Sequence, residues 1–326
     1  MKIGKLTNPE LKECVLNIIK RRRHEVKVPS SLAQDCASFE IDDTILISSD
    51  PITGAEKQAG ALAIKVNAND ILAAGGEPVL ATLTVLAPPN KNLEDIKEVM
   101  MSAEKQAEKY NLEIVGGHTE FTQAVNKIVV SATIIGRTKK HITADSAKAG
   151  DSIVITKSIG IEGTAILATD FEEKLKDFLS ENELALAKDM SKHISIEKEA
   201  TIAKKFPINA MHDITEGGIF GAVAEMAEAS KVGAVIDVNS IEINPITQKI
   251  CSVLGVDVYR LISSGSLIIS APNPAPLINE LRKNGIQASV VGKFTKDEHI
   301  IADFGDRKEN LETTSDELFE AIKRCK

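Results

Sequence analysis

Apolar and polar positions follow two rhythms along this chain, and the switches between them mark out its elements. Short β-branched blocks at residues 44–48, 79–86 and 127–136 read as strands. Residues 57–74 and 92–110 repeat at three- and four-residue intervals and predict helices. The polar stretch 139–150 ends in Ala-Gly-Asp and precedes a new strand at 152–156, so a boundary is expected near Lys148, giving domains 1–147 and 148–326. The second half repeats the alternation. Helices are predicted over 181–190, 197–205 and 217–229, after Pro245, and up to Lys283, with strands at 235–238, 266–270 and 288–291. Residues 271–276 carry three prolines and predict a rigid loop, and the stretch 306–326 ends in a charged amphipathic helix. Two successive α/β (α+β) layer structures follow from this pattern.

Composition narrows the picture. Aromatics are 3% of the residues and tryptophan is absent, so the core must be aliphatic. A net charge of −8 argues against nucleic acid or an anionic membrane surface as partner, since both reward clustered lysine and arginine. The one basic run, Lys20 to Arg23, follows Leu11, Val15, Ile18 and Ile19 and reads as the solvated end of a helix. Cys14, Cys36, Cys251 and Cys325 have no C-x-x-C spacing, which speaks against a zinc site or a disulfide framework. No apolar run approaches the roughly 20 residues that span a bilayer, and the expectation is a cytoplasmic protein.

The chemistry-bearing residues cluster at predicted element ends. Asp35 stands in AQDCASFEI, Asp50 in ILISSDP and Asp70 in KVNANDILAAGGEP. Magnesium prefers hard oxygen ligands, and a polyphosphate needs such ions to neutralise it, so converging aspartates suit an ATP site better than a zinc site. Asn67 and Asp70 lie three apart along one edge of the predicted helix and can reach the same ligand. Asp50 follows an apolar strand and precedes Pro51, at a sheet exit. After residues 112–115 comes GGHTEF, read as a turn in which Gly116 and Gly117 let the backbone approach a ligand and His118, Thr119 and Glu120 offer polar groups. In MHDITEGGIFGAVAEM, Asp213 or Thr215 caps a helix opening near Gly217, whose N–H groups form a seat for phosphate. Ser263, Ser264, Gly265 and Ser266 either bind a substrate or form a turn. No Walker A loop, G-x-G-x-x-G fingerprint or nucleophile elbow is present.

Taken in order, these segments resemble the aminoimidazole ribonucleotide synthetase (PurM-like) superfamily. AQDCA looks like its Gly-Asp-Asp-Ala-Ala segment, SSD like its Thr-Thr-Asp strand end, NANDILAAGGEP like its Asn-x-x-Asp helix and following turn, and GGHTE like its Gly-Gly-Asp-Thr turn. DITEGGIFGAVAEM and ISSGSLII are similar to motifs of its second domain. The wording is closest to HypE and its relatives. The resemblance implies a homodimer whose N-terminal sheets join into a barrel, ATP bound between the N-terminal domains, and a C-terminal α/β domain closing the cleft. It further implies that Asp35, Asp50 and Asp70 hold Mg2+ and phosphates with Asn67 beside them, and that Gly116, Gly117, His118, Thr119 and Asp213 line the nucleotide site. Asp70, His118, Glu120 and a tail cysteine, Cys325, would stand at the chemistry.

The implied reaction is ATP-dependent activation of an acceptor by phosphoryl transfer. The acceptor is a small molecule or a tail-borne group supplied by a carbamoyl-transfer partner protein. Thiamine-monophosphate kinase and ribonucleotide cyclo-ligase activities are the enzyme alternatives, and a nucleotide-binding scaffold dimer is the non-enzymatic one. Three departures from HypE favour another substrate. His118 and Glu120 replace an acid and a lysine, Ser263-Ser264-Gly265 replaces Asn-Glu-Gly, and the chain ends Lys323-Arg324-Cys325-Lys326 in place of Pro-Arg-Ile-Cys.

Overall fold

The computed structural model describes residues 3–32, 34, 36–53, 58–312 and 315–325, the last without the Cys325 side chain. They form two compact units, one reaching Leu72 and resuming over Gly76–His141, the other comprising Ala73–Gly75 and everything from Ile142 onwards.

The first unit runs β1 (Gly4–Lys5), α1 (Asn8–Leu11), a π-helical turn (Lys12–Leu16), β2 (Val26–Val28), β3 (Ser38–Phe39), β4 (Thr44–Ile52), α2 (Ala59–Ala73), β5 (Glu77–Ala87), α3 (Leu93–Lys109), β6 (Glu113–Phe121) and β7 (Val129–Thr138). Its five-stranded sheet has the order β1-β6-β5-β7-β4, antiparallel except for β5 and β6. Asn92 opens α3 by accepting the N–H groups of Glu94 and Asp95, and Asp95 returns a bond to the Asn92 N–H at 2.8 Å, a reciprocal cap that fixes where the helix begins. One sheet face carries Leu46, Ala132, Leu83 and Gly136. Helix α2 packs on it so closely that a Cβ on Gly136 would lie 2.2 Å from the Ile71 side chain. The other face leaves Ile45 47% and Ile47 68% exposed on the edge strand β4.

The second unit contains β8 (Ser152–Thr156), α4 (Ile161–Asp170), α5 (Glu172–Leu175), α6 (Glu181–Asp189), α7 (Glu197–Ala203), β9 (Ala210–Ile214), α8 (Gly218–Ser230), β10 (Gly233–Asp237), α9 (Pro245–Leu254), β11 (Ser266–Ala271), α10 (Pro274–Lys283), β12 (Ala288–Thr295), β13 (Ile300–Asp303), β14 (Lys308–Asn310) and α11 (Glu317–Cys325). Seven strands in the order β14-β13-β10-β12-β8-β11-β9 form its sheet. Phe220, Phe294, Ile153 and Ile268 help fill an almost wholly aliphatic core, as the composition requires. Helix α10 begins inside the proline-rich stretch expected to be loop. Pro274 sits in its first turn, where a missing N–H costs nothing. No helix among the described residues is long and apolar enough to cross a membrane.

The basic run is not a solvated helix end. The helical turn stops at Leu16, and residues 20–23 run as irregular chain tied to Glu104 and Glu113. Glu113, 1% exposed, accepts the N–H groups of Arg22 at 2.8 Å and Arg23 at 2.7 Å. Glu104 pairs with the Arg22 guanidinium, Arg23 with Glu25 at 2.7 Å and Glu77 at 3.0 Å, and Arg137 with the same two acids. Charge density read along the sequence missed this because the partners other than Glu25 lie 54 to 91 residues away.

Removing Glu113 leaves two main-chain N–H groups at the sheet base without their acceptor, so Glu113→Ala should destabilise the first unit by about 2–4 kcal/mol, at about 1–3 kcal/mol for each unsatisfied group, measured as a shift in the denaturant midpoint. Burial alone would raise Glu25, but hydrogen bonds and charge from Arg23 outweigh it and hold the carboxyl below its ordinary 4.5. Glu77 is held down against its own burial by Arg137 and Arg23. Both carboxyls bind fewer protons in the folded state, so their contribution is present above about pH 4.5 and is lost as the pH falls through the lowered folded values. Amide exchange at residues 20–27, corrected for intrinsic rates, should accelerate over that acid window before the second unit responds.

Candidate nucleotide and cation site

Along β4, Leu46, Ser48 and Asp50 share the face covered by α2, because side chains alternate along a strand. Asn67, fully buried on α2, meets the edge of this strand. Its Oδ1 accepts the Asp50 N–H at 2.7 Å, while its Nδ2 donates to the carbonyls of Ala63 at 2.9 Å and Asp50 at 3.3 Å. The Ser48 hydroxyl lies 3.1 Å from Asn67 Oδ1 and donates to Asp70 Oδ2. Asn67 and Ser48 thus tie the main chain at Asp50 and the Asp70 carboxylate to the same end of the edge strand. Asn67 is not positioned as a ligand, because its carboxamide is spent on the main chain.

The expected third acid, Asp35, lies outside the described residues. No group of three or more His, Cys, Asp or Glu side chains suited to a metal occurs among the described residues. Two carboxylates at a strand end do fit magnesium, which is commonly held by one or two carboxylates together with waters and substrate phosphates, not by a closed protein cage.

GGHTE is strand, not turn. It forms the second half of β6, entered through a bulge at Val115, where pairing to β5 jumps from Ile114 to Gly116. Gly117 has φ +145°, and a Cβ there would fall 1.9 Å from the Leu83 carbonyl oxygen, so only glycine fits. Asp50, Ala132, Leu83 and Gly117 form one row across the sheet, which places Asp50 and Gly117 three strand spacings apart, about 14 Å. Thr119 points to the helix-covered side. His118 and Glu120 point to the opposite face, where His118 Nε2 lies 3.1 Å from Glu120 Oε2. Within one chain these residues do not converge on the aspartates. Instead, the strand from Gly116 to Thr119 walls a cavity of about 370 Å³, closed by Leu11 and Val15 of the N-terminal segment, with Met100 and Ser31 also lining it.

In the second unit, a buried carboxylate stands at the start of α8, where a phosphate seat was expected. Gly217, left-handed at φ +79°, precedes the helix without a side-chain cap, and its N–H donates to the buried Asp316 carboxylate at 2.7 Å. Asp316 also accepts the Leu318 N–H at 2.8 Å. Burial raises its carboxyl pKa, against the main-chain bonds from Leu318, Gly217 and Ile262, with Glu216 adding to the rise. The expected cap from Asp213 or Thr215 is not formed, since α8 has no side-chain cap. Asp213 sits buried on β9, its Oδ1 3.7 Å from His212 Nδ1. Ser263 accepts the Gly160 N–H at 2.8 Å and is structural. Cys14 and Cys251 are buried, and burial pushes the Cys251 thiol up to about 12, so it stays protonated. Cys325 closes α11, and its side chain lies outside the described residues.

Sequence reasoning singled out neither Ser48 nor Asp316. Ser48 was detectable from the strand alternation that puts it beside Asp50. Asp316 was not, since nothing local links it to a glycine 99 residues earlier.

Models of AIR synthase related proteins match the chain over residues 33–138 for the N-terminal domain and 148–304 for the C-terminal domain. The chain belongs to the AIR synthase related family. Among relatives of this AIR synthase related protein, a hydrogenase expression/formation protein of Methanocaldococcus jannaschii is 27% identical over 311 residues, 90% of this chain and 89% of the relative. Carbamoyl dehydratase HypE of Rhizobium leguminosarum bv. viciae is 25% identical over 252 residues, covering 75% of this chain and 68% of the relative. A crystal structure of the hydrogenase maturation protein HypE in complex with ATP superposes with a TM-score of 0.80 over 96% of both chains, at 19% identity, a likeness of fold.

The Gly117 constraint is directly testable. Gly117→Ala should lower stability by about 3 kcal/mol, the upper range for forced overpacking, whereas Gly150→Ala, whose Cβ would meet nothing within 4 Å, should cost less in the same thermal melt.

Proposed function

We propose that this chain is a HypE-like ATP-dependent enzyme that binds Mg2+·ATP on its first unit and activates an acceptor by phosphoryl transfer. The observation that carries the reading is the pair Asp50 and Asp70, held at one edge of the sheet by Ser48 and Asn67. Two carboxylates at one strand end without a full cage suit a cation that arrives with a polyphosphate. The ATP complex of a protein with this fold and the carbamoyl dehydratase relative support the same reading. Mg2+ would neutralise charge on the phosphates. The chain's own residues would fix its position and hold the nucleotide in line with the acceptor.

The active form is a homodimer. Gly117 and Asp50 lie about 14 Å apart, too far to grip one set of phosphates from a single chain. A second copy can supply the missing half. The exposed Ile45 and Ile47 on the uncovered sheet face provide apolar surface for that contact. The acceptor differs from that of HypE, since Ser264 stands where a carboxylate is expected and His118 replaces an acid. Those same departures favour one second reading, a dimer that binds nucleotide without turnover.

Calorimetric titration with ATP, with and without Mg2+, tests the site. Magnesium-dependent binding is expected, and Asp50→Asn or Asp70→Asn should weaken it at least about tenfold, or 1.4 kcal/mol. Binding untouched in both variants would remove the aspartates from the site. Phosphate release on the same samples separates the enzyme from the scaffold, and Ile47→Asp should shift the dimer to monomer by light scattering.

A further inference from the structure

We infer that α11 is a fixed strap of the second unit and that Cys325 is not a carrier thiol, so that the acceptor this chain activates is a separate small molecule. This rests on the reading of the chain as an ATP-dependent enzyme, and it decides between the two kinds of acceptor, free or tail-borne, that the resemblance implies.

The sequence departs from a mobile tail first. The Pro-Arg-Ile-Cys segment of HypE has a proline three residues before its cysteine, and proline in a helix interior removes a hydrogen bond and clashes with the preceding turn. Here Ile322 stands at that spacing, and the helix runs unbroken from Glu317 to Cys325. Apolar residues recur at 318, 321 and 322, a single stripe of the helical period. Leu318 and Ala321 are buried in the core of the unit, and Ile322 packs against it.

Polar ties hold both ends of that stripe. Just before the helix, Asp316 accepts the N–H groups of Gly217 at 2.7 Å and Leu318 at 2.8 Å, which joins the strap to the start of α8. In the first turn, Glu317 accepts the Asp257 N–H at 3.4 Å. In the last turn, the Arg324 guanidinium donates to the Gly255 carbonyl at 2.9 Å and to Glu317 at 3.0 Å. Cys325 follows one residue later, about 3.8 Å along the chain. A carrier thiol has to leave its resting place to collect a group and present it for activation. Undocking α11 would take Leu318 and Ala321 out of the core and strip the Gly217 N–H of its acceptor. Burial of Leu318 alone favours the docked helix by about ten- to a hundredfold, and the hydrogen bonds to charged groups add to that bias.

Hydrogen exchange of the full-length chain, read by mass spectrometry and corrected for intrinsic rates, tests the strap with and without Mg2+·ATP. A helix of nine residues is not stable alone, so protection of the amides of residues 321–325 reports docking. Exchange there should be slowed at least about tenfold in both states. Leu318→Ala should speed it by about tenfold, and Arg324→Ala, a change at the helix surface that should speed exchange at residues 323–325, takes its place if the leucine variant fails to fold by thermal melting. Unprotected amides over 321–325 in either state overturn the strap and return Cys325 to the carrier role. Unchanged exchange in the folded variant also overturns it, because the contacts named here would then not be what holds the helix. Failure of the chain to bind ATP by calorimetry would remove the activating reaction, while exchange without nucleotide would still decide whether α11 is fixed.

Discussion

A single buried carboxylate, Glu113 at the start of β6, organises the first unit. By accepting two successive main-chain N–H groups it converts the chain at Arg22 and Arg23 from a loop that could wander into a fixed crossing at the sheet base. Everything N-terminal to that crossing is then constrained. The π-helical turn is laid along α3, Leu11 and Val15 face the strand from Gly116 to Thr119, and the cavity between them acquires a wall. Ion pairs of this kind gain little net energy over an apolar packing. What they supply is a defined path for the chain, because leaving it would bury these charges unpaired.

The proposed cation site obeys a related logic on the opposite side of the same sheet. An edge strand exposes unpaired main-chain groups, and proteins cover such edges to prevent indiscriminate pairing. Here one carboxamide covers the edge at Asp50, and the same side chain aligns the strand with the helix that carries Asp70. Edge protection and site construction are therefore one device. Because β4 and β6 are separated by two strands, the residues proposed to bind nucleotide are divided between the two sides of the sheet, which is why the proposed activity calls for two copies.

Much of this was legible in the sequence. The alternating blocks around Ser48, Leu83 and Ile134 gave strands in the expected places, and the Asn-x-x-Asp spacing correctly put Asn67 and Asp70 at one helix edge. What failed did so for identifiable reasons. Gly116-Gly117 was read as a turn because paired glycines usually bend the chain, but the glycine at 117 serves close approach to Leu83 within a strand. Asn67 was read as a ligand because spacing shows which groups are near one another, not which are already satisfied. The basic run and Asp316 depend on partners remote in sequence, and no local pattern encodes them. The prolines of α10 were assigned to loop because proline breaks helices in their interior, a rule that reverses in the first turn.

The Asp316 contact bears on where the second domain ends. The family's C-terminal domain model stops at residue 304, yet the negative charge that neutralises the start of α8 comes from beyond that limit. Leu318 and Ala321 of the closing helix also complete the apolar core. A recombinant fragment trimmed to the homology boundary would carry an uncompensated helix pole and an open hydrophobic seam. The autonomous folding module is thus longer than the homologous one, and expression boundaries for this unit belong after α11.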